Sequence, residues 1–191
     1  MMKQLQERCR EQVSAENMID DYFERPYWIV DILPFQVPEN SPGQYFAVEE
    51  YYLQKPRWQT LRRKYLEILL KLNCYYDMEV TADPGGDGDP VGDIDPDAWP
   101  GCGWQKNPAP ETLEKLIMEG SEKNPEEAPE EPTEEAPAYF TVYVLFEAED
   151  TLAVLNSDDN YMTVYDPPEH LRDLLQVLAE AEGLFMWQPP E

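Results

Sequence analysis

Histidine is almost missing from this chain: His170 stands alone among 191 residues. A lone imidazole excludes metal sites built on several histidines and leaves one position for imidazole acid–base chemistry. Cysteine is scarce as well. Cys9, Cys74 and Cys102 are odd in number, far apart and without a C-x-x-C pair, so neither a disulfide framework nor a zinc or dithiol site is expected. Positive charge is short: 14 Lys+Arg face 40 Asp+Glu, a formal net charge of −26. A field of that sign repels nucleic acid and anionic membranes and draws basic surfaces. No segment approaches the ~18 continuous apolar residues that a membrane span needs, and the polar N-terminus MMKQLQERCREQ lacks an apolar signal core. The expectation is a cytoplasmic protein without membrane contact. No Gly-rich phosphate loop opens a helix, so no cofactor is expected.

What is present is enough apolar material for a core. Hydrophobic residues make up 42% of the chain and aromatic residues 12%. Residues 2–24 are expected to be helical in part, and 27–37 extended, with Pro34 ending the strand or confining it to an edge. PENSPG (38–43) is a loop, and 45–53 reads as a short helix. Trp58, Leu61, Tyr65, Ile68, Leu69 and Leu72 recur at three- and four-residue steps, predicting a helix over 57–73. A strand is expected at 74–80 and a short helix at 110–120. Residues 139–148, 151–157 and 161–166 form three strand patterns joined by tight turns, an antiparallel meander. The first is apolar on both faces, as a covered central strand is. A helix follows, with Asp166 as its expected cap, Pro168 in its first turn and Gly183 just past its end. Residues 184–188 supply a last short strand.

The predicted class is α+β: an antiparallel sheet, including the C-terminal meander, packed with N-terminal helices. An N-terminal segment (1–82) and a C-terminal segment (138–191) are expected to pack as one domain, interrupted by an acidic Gly/Pro/Glu-rich insert (83–137). Residues 83–135 hold 16 acids and 3 bases; the other 138 residues hold 24 and 11. The insert thus carries half of the net charge, and the rest of the chain is acidic without it.

Several residues are candidates for chemistry or binding. Asp83, Asp87, Asp89, Asp93, Asp95 and Asp97 offer oxygen ligands for Ca²⁺ or another metal, but no EF-hand spacing joins them, and a solvated acidic loop is the alternative. Trp99 and Trp104 fall in the same irregular loop and can anchor it to the domain or to a partner. Arg62, Arg63 and Lys64, with Lys55, Arg57 and Lys71, gather six bases along one helix, either as a phosphate-binding stripe or as a face paired internally. His170, in the first turn of a helix, is expected at the surface.

No nucleophile, base and orienting group are recognisable together, so a non-catalytic protein is expected. The charge points to a protein partner with a basic surface, including one that itself binds nucleic acid. Direct nucleic-acid binding is disfavoured everywhere but along the basic 55–71 helix. In size and acidity the chain is similar to the DNA-like charge mimics of mobile elements, the antirestriction and anti-CRISPR inhibitors; the resemblance is one of composition. It implies inhibition by carboxylates that occupy a groove shaped for phosphates. The alternatives are an adaptor or regulatory module with an acidic linker, and a Ca²⁺-binding or metal-dependent protein using the 83–97 carboxylates.

Overall fold

Residues 19–38, 40–54, 56–83, 104–119, 141–156 and 161–190 are described by a computed structural model. The aspartates at 87, 89, 93, 95 and 97, Trp99, Lys55, Cys9, Cys102 and the linker at 121–137 lie outside these residues.

The strand patterns assemble into one fully antiparallel sheet of seven strands, in an α+β fold. The strands are β1 (Tyr27–Asp31), β2 (Glu79–Asp83), β3 (Gln105–Lys106), β4 (Thr141–Phe146), β5 (Thr151–Asn156), β6 (Met162–Tyr165) and β7 (Phe185–Trp187). Their order is β3-β2-β4-β5-β6-β1-β7. β4, β5 and β6 are the expected meander, with Val144 opposite Ala153 and Ala153 opposite Val164. The N-terminal part of the chain enters this sheet twice. β2 pairs with β4, and β1 fits between β6 and β7.

The helices are α1 (Tyr45–Leu53), α2 (Arg57–Leu72), α3 (Pro110–Glu119) and α4 (Glu169–Ala181), with further helical residues at 19–23. Alternation assigns Val30, Val80, Val142, Val144, Ala153, Leu155, Met162 and Val164 to one sheet face. There they meet Leu61, Tyr65, Ile68, Leu69 and Leu72 of α2, Leu113, Leu116 and Ile117 of α3, and Leu171, Leu175 and Ala179 of α4. All six apolar positions foreseen on α2 are buried. The opposite face has its own smaller cluster, where Ile19 and Tyr22 pack on Leu145, Leu152 and Val154. β4 and β5 are therefore apolar on both sides because both sides are covered.

Three local expectations are corrected. The strand expected at 74–80 starts only at Glu79, because the end of α2 unwinds through turns: Tyr75 and Tyr76 still donate N–H to the Leu72 carbonyl. Asp166 does not cap α4. It holds φ 52°, donates its N–H to the Pro26 carbonyl and points its carboxylate toward Arg25, while Pro168 occupies the cap position. Pro34 does not end β1 directly, since the strand stops earlier, at Asp31. Gly183 does terminate α4, with φ 70°.

Candidate functional site

The basic residues are largely engaged inside the molecule. Arg62 is buried, donates to the Asn156 carbonyl at 3.0 Å and lies 4.9 Å from the Trp58 ring. Arg63 pairs with Glu114 at 2.6 Å, and Lys71 pairs with Glu182. Arg57 sits 3.7 Å over the Tyr51 ring and donates to Gln54. Lys64, half-buried, extends toward Gly183. The stripe on α2 thus binds the helix to α3, to the α4 C-terminus and to the β5 end. Elsewhere, Arg25 serves Asp150 and Asp166, Lys106 reaches Glu79, and Arg172 leans over Trp28.

The carboxylates are distributed differently. On α4 the apolar residues Leu171, Leu175 and Ala179 turn inward. At 3.6 residues per turn, Glu169, Asp173, Gln176 and Glu180 then fall in one row on the outside, all exposed. The row spans roughly 16 Å at ~1.5 Å per residue. Gln176 donates to Glu180 at 3.1 Å and fixes that end. Arg172, the one Lys or Arg of α4, lies off the row, and His170 turns to Glu149. The row is readable in the sequence as an i, i+4, i+7, i+11 pattern opposite the leucine stripe.

At the N-terminus of α4, His170 Nε2 stands 2.8 Å from Glu149 Oε2, with its ring against Tyr76. His170 is largely exposed, as expected of a surface residue. Burial, together with the Glu149 charge, pushes the Tyr76 hydroxyl above its usual range. This triplet does not line either recess described below.

Near the start of β1, Tyr22, Arg25 and Asp150 form a second polar group. The Tyr22 hydroxyl donates to Asp150 at 2.8 Å, and Arg25 reaches the same carboxylate at 2.8 Å while covering the Tyr22 ring. Burial and the hydrogen bond to Asp150 push Tyr22 up to about 12. Arg25 and Tyr22, donating to it, hold Asp150 below the usual carboxylate range. These shifts belong to a brace that ties residues 19–25 to the β4–β5 turn.

Asp31 carries no motif that sets it apart in the sequence. It is buried at the end of β1, and burial pushes its carboxyl up to about 6, with Glu49 adding to the rise and the Leu33 and Ile32 amides opposing it. Its recess, shared with Tyr45, Val48, Glu49 and Tyr161, measures only about 20 Å³, room for one water. A larger recess of about 410 Å³ opens between Phe35–Pro38 and Trp187–Pro190, and no titratable side chain lines it. Trp104 packs against the second apolar cluster, with its indole nitrogen buried. Among the described residues, no three His, Cys, Asp or Glu side chains converge as metal ligands, and no helix is long and apolar enough to cross a membrane. No family model, curated protein or solved structure matches the chain.

Proposed function

We propose that this protein is a non-catalytic acidic binder whose target is a basic, nucleic-acid-binding surface of another protein, acting as an inhibitor by charge mimicry in the manner of antirestriction or anti-CRISPR proteins. The observation that carries this reading is the asymmetry of charge on the folded body. Most of its bases are taken up by ion pairs, aromatic faces and one burial, while Glu169, Asp173 and Glu180 stand in an outward row with no Lys or Arg among them. The packed backbone of α4 sets the spacing of these carboxylates, and Gln176 holds Glu180, so the row keeps its register when a partner arrives. The row is sparser than a DNA strand, which carries a phosphate every ~3.4 Å of axis. It therefore supplies an ordered part of a negative surface to which the rest of the acidic chain adds.

The test is capture of cell-extract proteins on the immobilised chain, with elution by duplex DNA and by salt rising from about 50 to about 500 mM. Basic nucleic-acid-binding proteins should be retained, and DNA should displace them. The triple variant Glu169→Gln, Asp173→Asn, Glu180→Gln should retain them several-fold less well, by roughly 1 kcal/mol per rim charge or less. Retention that neither DNA nor salt disturbs would instead support the adaptor reading, with an apolar interface. Stabilisation of the melt by Ca²⁺ would favour the metal reading through the 83–97 carboxylates.

A further inference from the structure

Helix α1 has an unusual outside. Its nine residues, YFAVEEYYL, are apolar nearly all the way round, yet none is buried. With ~100° between successive residues, they divide into two arcs. Tyr45, Glu49, Tyr52 and Leu53 are half-buried and face the body. Phe46, Ala47, Val48, Glu50 and Tyr51 form a continuous outward arc. Phe46 is 80% exposed, Tyr51 48% and Val48 44%, so the arc is apolar surface in water, with Val48 at the edge where it also lines the Asp31 recess. A surface helix ordinarily turns polar residues outward, and a helix apolar all round belongs inside. α1 does neither, and exposed aromatic patches of this kind mark binding surfaces.

The aromatic side chains are already held. Phe46 packs edge-on against Tyr45 at 5.4 Å, and Tyr51 packs edge-on against Tyr52 at 5.6 Å while lying beneath the Arg57 guanidinium. Anchors fixed before binding lose less rotamer freedom when a partner arrives. Charge decides among occupants. Glu50 is the one charged residue of the arc, the Arg57 guanidinium lies over its Tyr51 edge, and the chain as a whole carries −26. A second copy would bring an equal negative charge against the first, whereas a basic partner is drawn in.

We propose that the outward arc of α1 is the docking surface for a basic amphipathic helix of another protein. The apolar residues of that helix would cover Phe46, Val48 and Tyr51, and a Lys or Arg would pair with Glu50. The inference rests on the reading of the chain as a binder of basic proteins and adds an apolar anchor to it.

The test uses two fluorescent probe peptides of about 14 residues, four helical turns. One carries Leu and Lys at helical spacing; the other carries the same charge with Ser in place of Leu. Binding to the whole chain is followed by anisotropy, and melting checks that each variant folds. The Leu/Lys peptide should bind more tightly than the Ser/Lys peptide. Phe46→Ser with Tyr51→Ser should weaken the Leu/Lys peptide at least about tenfold and leave the Ser/Lys peptide unchanged. Glu50→Lys should weaken the Leu/Lys peptide about threefold or more. Because no α1 residue is buried, the melting temperature should hardly move. Equal binding of the Leu/Lys peptide to the double variant and the parent refutes docking on α1 while leaving the acidic-binder reading intact. Failure of both peptides to bind removes both. A parent chain that sediments as a dimer, and a double variant that sediments as a monomer, would make the occupant a second copy and overturn the proposal.

Discussion

Asp31 and Asp150 are two carboxylates whose environments act in opposite directions. Burial raises Asp31 to about 6, above the 3.8 of an unfolded chain. The folded state therefore binds the proton more tightly, and stability falls as pH rises from about 4 to about 6. Above that window the ionised group carries its full cost. Asp31→Asn should then stabilise the protein by roughly 1–2 kcal/mol at pH 8 and by nearly nothing at pH 4, measured in urea melts at both values. A gain that is equal at the two pH values would mean that charge is not the cause. Asp150 is lowered by Arg25 and Tyr22, so its contribution is present above about pH 4 and is lost as pH falls through its folded value. Its side chain is 70% exposed, which keeps the contribution small. Asp150→Asn should cost no more than about 1 kcal/mol at pH 7, with the loss fading below pH 4. Neither behaviour was legible in the sequence. Asp31 is one acid among forty, and only the fold reveals that it is buried and that Glu49 of α1 comes beside it.

At the scale of elements, sequence pattern succeeded where the signal is local. The three- and four-residue apolar step of α2 and the short-turn meander β4–β6 are properties of consecutive residues, and both appear as expected. Gly183 is also local, and it yields a clean test. A Cβ there would meet only Lys64 Nζ at 3.7 Å, an ordinary contact, so any cost comes from the φ of 70°. Gly183→Ala should lower stability by roughly 1–2 kcal/mol, with the far-ultraviolet spectrum unchanged. A loss much above that would point to Lys64 being displaced. Pattern failed where partners are distant. β3 is two residues long and exists as a strand because Glu79 and Val80 pair with it. The ladder that threads β1 between β6 and β7 joins residues far apart in sequence. Asp166 had the residue type of a cap, but Arg25 and Pro26 hold it instead. The acidic row of α4 was legible all along, since it is the complement of the stripe Leu171, Leu175 and Ala179.

At the scale of the whole molecule, one quantity acts on folding and on binding with opposite signs. A net charge of −26 on a chain of this size repels itself, and compaction brings the carboxylates together. The internal ion pairs of Arg25, Arg63 and Lys71 oppose that repulsion only locally. Salt screens distant like charges more effectively than it breaks short, partly buried pairs, since its screening length is ~10 Å at 0.1 M and ~3 Å at 1 M. Raising NaCl from about 20 to about 500 mM should therefore raise the melting temperature by several degrees. The same change should weaken binding to a basic partner by an order of magnitude or more, because there the screened charges attract. The two trends are to be measured on one sample series, by thermal melts and by anisotropy with the Ser/Lys peptide. If salt lowers the melting temperature, the pairs on Arg25, Arg63 and Lys71 outweigh the repulsion, and the surface is less negative in effect than its formal charge. If salt stabilises the fold while peptide binding does not change, the carboxylates act only on the protein's own stability. The anchor on α1 would then remain as the source of any affinity.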